Sequence, residues 1–422
     1  MLYSRISNGR FGVRLKLDTP SSYHPTTARL PHRGRRSDID WLRTLAMGTI
    51  FLFHCARFFD HDDWHVKNTA LSHGMDVFVI FTAQWIMPLF FILSGIGTFY
   101  ALSHRAGAGY IRERFFRLVV PLVFGIFILV PPQVYIERAT HNQFIGSFFA
   151  FYPHYFEGLY GFGGNFAWMG LHLWYLEILF IFSLLTLPLF LWMRRETALN
   201  LISRVTDSCR RPGFIVLLCL PLFLMELIVN AFPGSIGRRE FGGWSPLTYL
   251  VFFIIGFVIA TDHRFVRSFE RYRVGWLVMG VATSAVGLVL IETGLLNPLP
   301  RPATLPIEAA LRVLNSWFWL SAIMGFARRY LNFTNRGLAY TNEAVLPFYI
   351  LHQTVIVVIA FFLVGWSAAV PVKYLALVVL SFTAIMALYE GIIRRIGLFR
   401  VLFGMKRSQR PPGSGHGKRR SV

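Results

Sequence analysis

Ten stretches of the chain stay apolar for about the thickness of a bilayer. They run at 41–59, 77–102, 115–134, 168–193, 213–232, 246–261, 274–293, 308–327, 344–365 and 371–393. A helix rises about 1.5 Å per residue, so about 20 such residues cross a hydrocarbon core of about 30 Å. The pattern predicts an all-α integral membrane protein, a bundle of about ten transmembrane helices, of which 246–261 is the shortest. Polar punctuation falls between the runs and gathers at the two ends. Residues 1–37 are basic and polar, with Pro20, Pro25 and Pro31 and no apolar core of a signal peptide. They read as a flexible tail, as do residues 404–422, rich in Arg, Pro, Gly and Ser. Residues 38–403 form one membrane domain, with no internal repeat and no soluble domain.

Composition agrees. Of 422 residues, 55% are hydrophobic and only 15% charged, whereas a soluble domain carries about 25% charged residues. The three cysteines are too few for a disulfide framework. Cys55 and Cys219 fall in apolar runs and Cys209 in a basic loop, so all three are expected unpaired. The net charge of +21 would suggest nucleic acid in a soluble protein. Its distribution gives another answer. With ten spans the connections alternate sides, and 33 of the 42 Lys and Arg residues fall on the side that includes both tails, against 7 on the other. That bias places both termini in the cytoplasm. The charge then reports orientation and contact with anionic lipid, and no nucleic acid is expected.

Ionisable residues inside the spans cost several kcal/mol unless they face the bundle interior, so they carry the chemistry. In the first span, Arg43 and His54 point within about 20° of one direction at 100° per residue, about 16 Å apart along the axis. Asp40 and Arg57 lie on the same side. The structural reading is a buried histidine with snorkelling arginines; the functional one is an inward polar track ending at a catalytic base. Beyond it, His61-Asp62-Asp63-Trp64-His65 is a spacing too common in loops to argue a metal, and no metal site is expected. Leu93-Ser94-Gly95-Ile96-Gly97 suits close helix packing. Arg112, Arg114 and Arg117 cluster at the cytoplasmic edge of the third span, where ordinary orientation charge or a polyphosphate ligand would explain them. His172, Trp174 and Glu177 open the fourth span, and Tyr349, His352 and Gln353 fall in the ninth.

The order of these motifs resembles the acyltransferase-3 family of membrane proteins, over about 38–403. The resemblance rests on Asp40-Trp41-Leu42-Arg43 followed by His54, on Phe90–Gly95, on Arg112–Pro121, on Trp174–Glu177 as a shortened form of a family segment, and on Phe348–His352. It implies a ten-helix enzyme of the bacterial cytoplasmic membrane that moves an acyl group, acetyl or succinyl, from cytoplasmic acyl-CoA to a hydroxyl on an extracytoplasmic carbohydrate. Acyl-CoA is then a donor substrate, with no permanently bound cofactor. His54 matches the family's catalytic histidine and Arg43 its first-helix arginine.

Acyl transfer to a hydroxyl needs a base or an acyl-carrying nucleophile, and positive charge or donors at the developing oxyanion. His54 suits the first role, as base or as carrier. Asp40 and Arg43 would order the cytoplasmic entrance, and Arg112, Arg114 and Arg117 would take the CoA phosphates. Trp64, His65, His172, Trp174, Glu177 and His352, with the aromatic loop 148–168, would form the carbohydrate side. The competing class is a polytopic transporter of a small anionic or carbohydrate solute, which would be expected to show internal repeats and paired broken helices.

Overall fold

The computed structural model of the protein describes residues 36–207 and 214–406. Both tails lie outside these residues, save 36–37 and 404–406, as does Cys209. All ten apolar runs are helical. In chain order the helices are α1 (Ser37–Ala56), α2 (His73–His104), α3 (Gly107–Thr140), α4 (Leu171–Leu185), α5 (Leu187–Met193), α6 (Glu196–Asp207), α7 (Phe214–Ala231), α8 (Pro246–Thr261), α9 (His263–Arg271), α10 (Arg273–Thr293), α11 (Arg301–Tyr330), α12 (Arg336–Leu363) and α13 (Val370–Ile393). Among the described residues there is no β-sheet, only an isolated bridge between Leu159 and Phe166.

Six of these helices, α2, α3, α7, α10, α12 and α13, are long and apolar enough to cross a membrane alone. The bent pairs α4–α5 (54°) and α8–α9 (99°) raise the number to eight. The two remaining runs of the expected ten are α1 and α11, 20 and 30 residues long. They fall short in apolarity, not length, because they carry Asp38, Asp40 and Arg43 in one and Glu308 and Arg312 in the other. Of these, Asp38 and Asp40 are buried.

Local chemistry sets the breaks. Thr186, Asp262 and the proline at 188 mark the two bends. In α3, Pro121 has no N–H to give the carbonyl of Arg117, and the turn before it, Phe115–Val119, widens into a π-turn. A second π-turn follows at Gly125–Leu129. The bundle is held by α2 crossing α8, by α10 on α11, and by α12 packing along both α1 and α13. The α2–α8 crossing is backbone on backbone: a Cβ on Gly95 would run into the carbonyl of Phe253, and one on Gly256 into that of Ile92. Phe91 stacks on Tyr249 beside it, ring centres 4.6 Å apart.

Candidate functional site

The polar face of α1 meets α12, and three imidazoles converge there. His54 Nδ1 is 2.8 Å from the carbonyl of Ile50 and 3.3 Å from Nε2 of His352. The His352 and His172 rings meet edge to face, 5.2 Å between centres. A carbonyl oxygen can only accept, so each ring's tautomer follows from its main-chain partner. His352 Nδ1–H donates to Tyr349 O at 2.5 Å, which leaves its Nε2 as an acceptor. His54 Nδ1–H is then shared between Ile50 O and that acceptor. The lone pair of His54 is therefore on Nε2. His172 Nε2–H donates to Ile350 O at 3.1 Å. His352 and His172 are buried, and His54 is half-buried.

From the three rings a hydrogen-bonded chain runs toward the loops that follow α1 and α3. Gln133 lies 3.4 Å from His172 Nδ1 and donates to Thr354 at 2.7 Å. Gln353 donates to Gln133 Oε1 and to His65 Nε2, both at 3.0 Å. His65 Nδ1–H donates to Glu137 at 2.5 Å. Tyr160, from the aromatic loop 148–168, donates to the same carboxylate at 2.8 Å. Burial and the Glu137 carboxylate together push the Tyr160 phenol up from its ordinary value.

The other direction leads to the arginines. Tyr349 donates to the carbonyl of His172 and packs 6.0 Å, ring to ring, from Tyr175. The Tyr175 hydroxyl is 2.6 Å from Ser94 Oγ. Arg43 pairs with Asp40 at 3.6 Å and reaches the carbonyl of Leu93 at 3.4 Å. Gly97 makes room for it: a methyl group there would sit 2.8 Å from Arg43 Nη2. Arg114 donates to Thr98 at 3.0 Å with its guanidinium over the Tyr110 ring, and Tyr110 bonds on to Ser183. Arg117 pairs with Glu113, as does Arg105, and has Arg114 and Arg43 as electrostatic neighbours. Arg112, like Arg117, is exposed on α3.

The residues singled out in the sequence thus divide. His54, His352 and His172 form one cluster; His65 joins it through Gln353 and Gln133; Asp40, Arg43, Arg114 and Arg117 gather at the far end. Trp64 lies against His65, 5.6 Å between rings. Trp174 sits to one side, among Phe91, Phe241 and Tyr249. Glu177 is not brought to the cluster, and its Oε2 is buried without a hydrogen-bond partner among the described residues. Arg57 turns away from the α1 face to staple the next loop, pairing with Asp60 at 2.5 Å and Asp62 at 3.1 Å. Lys67 completes that staple on buried Asp60 at 2.6 Å. His61 pairs with Asp76. Among the described residues no three His, Cys, Asp or Glu side chains converge as metal ligands. Cys55 and Cys219 are free and buried.

Tyr160 falls in the aromatic loop expected on the carbohydrate side, whereas Gln133 and Glu137 were not among the expected site residues. Their one sequence signal is the i, i+4 spacing of Gln133 and Glu137, which puts both on one face of α3 where it leaves the apolar run.

The acyltransferase domain of the acyltransferase-3 family matches residues 36–390. Glucans biosynthesis protein C of Salmonella typhi is 23% identical over 390 residues, covering 87% of this chain and 94% of that protein. The proteins of that name from Salmonella typhimurium and Salmonella schwarzengrund are also 23% identical, over the same shares of each chain. No solved structure matches the chain. A match over most of the membrane domain, spanning both the α1 histidine and the α12 histidine that meets it, settles the family: the chain belongs to the acyltransferase-3 family of membrane proteins.

Proposed function

We propose that the protein is a membrane O-acyltransferase that moves an acetyl or succinyl group from cytoplasmic acyl-CoA to a hydroxyl of an extracytoplasmic glucan or related glycan. The observation that carries this reading is the polar track through the bundle, with arginines at one end, His65, Glu137 and Tyr160 at the other, and His54 between them with its Nε2 lone pair uncommitted. The relatives named for glucan biosynthesis support the acceptor class. The charge bias of the connections supports cytoplasmic termini and a bacterial inner-membrane setting.

In this reading Arg43, Arg114 and Arg117 hold the donor's phosphates, since guanidinium forks match phosphate oxygens. Arg112, exposed on α3 as Arg117 is, is available to the same phosphates. The acceptor hydroxyl enters from the His65 side, where Trp64 and the aromatic loop suit a sugar face. His54 Nε2 takes its proton as the oxygen attacks the thioester carbon. The C–S bond breaks, and the leaving thiolate takes that proton back from His54 Nε2, which returns the imidazole to its neutral form. The imidazolium formed at His54 is stabilised by the Nδ1–H bonds to Ile50 O and His352.

The test uses purified protein in proteoliposomes with labelled acetyl-CoA or succinyl-CoA outside and a soluble glucan inside, with both orientations sorted by protease protection. Label on the glucan is the expected result. Passage of unmodified solute across the bilayer with no acylated product would replace this reading with a transporter.

A further inference from the structure

The side of the membrane with few basic residues holds seven of them, and four converge on one cavity. Arg238 and Arg239 come from the loop after α7, and Arg301 and Arg312 from the first half of α11. The cavity measures about 580 Å³. Positive-inside depletion acts against such a gathering, so the convergence is informative.

The two rim arginines are matched: Arg301 pairs with Glu308 at 3.0 Å, and Arg238 lies 3.9 Å from Glu240. The two deeper ones are held but not saturated. Arg239 is fixed through Nη2 by Glu226 at 2.6 Å and Asn230 at 2.5 Å, and Glu226 is itself anchored by Thr248. Its Nη1 is buried and, among the described residues, has no hydrogen-bond partner. A buried unmade bond on a charged group is costly, and it marks Arg239 as a guanidinium that the protein itself does not saturate. Arg312 donates to the carbonyl of Gly243 and lies over the Trp244 ring, 5.0 Å from its centre. Among the described residues it makes no ion pair.

We propose that this cavity binds a phosphate ester from the extracytoplasmic side, its oxygens bridging the guanidinium groups of Arg239 and Arg312 that line it. Two guanidinium forks approaching from different elements fit a tetrahedral oxyanion. The volume exceeds that of one phosphate and takes the alcohol that carries it. The loop Phe241–Trp244 separates this site from Trp174, which packs on Phe241. The site is therefore distinct from the imidazole cluster, and it does not depend on the acyl-transfer reading. The phosphate comes either from an anionic lipid head group or from a soluble phosphorylated alcohol.

The experiment uses full-length protein in phosphatidylcholine nanodiscs and reads the ligand-induced rise in Tm. One arm adds glycerol 1-phosphate; the other replaces part of the lipid with phosphatidylglycerol. A saturable rise in the first arm assigns a soluble ligand, and a rise in the second arm alone assigns a lipid. Arg312→Gln is expected to weaken binding at least about 10-fold, the scale of one charge-assisted fork. Arg395→Gln, on the opposite membrane side, and His54→Ala should bind as the parent does. If Arg312→Gln does not fold, Arg301→Gln at the rim takes its place, with binding about threefold weaker. No saturable rise in either arm, or undiminished binding in the arginine variant used, overturns the proposal.

Discussion

Two helix crossings hold the centre of this bundle, and they are made of opposite materials. Where α2 crosses α8, Gly95 and Gly256 strip the seam to backbone, and Phe91 on Tyr249 and Phe190 on Phe257 fill its flanks. Where α1 lies along α12, the seam is polar: Thr44 faces Thr341 at 3.3 Å, and His54 faces His352. Lipid offers helices no hydrophobic reason to associate, so a dry seam must gain its energy from close van der Waals contact. A polar seam in the same surroundings is a costly way to join two helices. The dry crossing is the fastening, and the polar one is, in the proposed reading, kept for chemistry.

That contrast can be broken at either side. The largest effect is expected at His54. His54→Ala should cost at least about 10²-fold in acyl transfer, the lower range for a lost general base, with its Tm in detergent close to the parent's. Near-normal activity would make the imidazole a piece of packing. On the dry side, Gly256→Val should lower stability by about 1–3 kcal/mol or more, as overpacking does. Its activity per folded molecule should hold. A variant that kept its Tm but lost turnover would erase the distinction between the seams.

His352→Ala is a finer test. His54 would keep Ile50 O but lose one acceptor on a group that becomes charged, worth roughly 1.5 kcal/mol or about 10-fold in rate. His352→Gln, whose amide oxygen still accepts, should restore most of it; equal losses in both variants would mean that the ring serves shape alone. The smallest effect is expected at Thr44→Val, which removes one hydroxyl contact: about 0.5–1.5 kcal/mol of stability by thermal unfolding, and no change in kcat.

How much of this could be read from the sequence follows from where each signal resides. The six to eight apolar helices able to cross a membrane were legible because bilayer thickness fixes their length, while the charged α1 and α11 fall below the apolarity that the expected count of ten assumed. The His54–Arg43 face was legible because helical periodicity is a one-element property. The meeting of His54 with His352 was not, since it joins residues 298 positions apart. Arg57 was misplaced for a physical reason: it follows the last helical turn, and three loop acceptors at Asp60, Asp62 and Asp63 outbid the helix face. Gln133 and Glu137 were passed over because single polar residues at a helix end look like ordinary interface.

The main-chain carbonyls that fix the three tautomers also make the imidazole cluster a blind alley for protons. A proton arriving on His54 Nε2 can hop once, from Nδ1 to His352 Nε2, and there it stops, because the far nitrogen of His352 faces Tyr349 O and a carbonyl cannot take a proton onward. The third ring is closed off in the same manner by Ile350 O. The pair can therefore store one charge but cannot pass it on through these two rings.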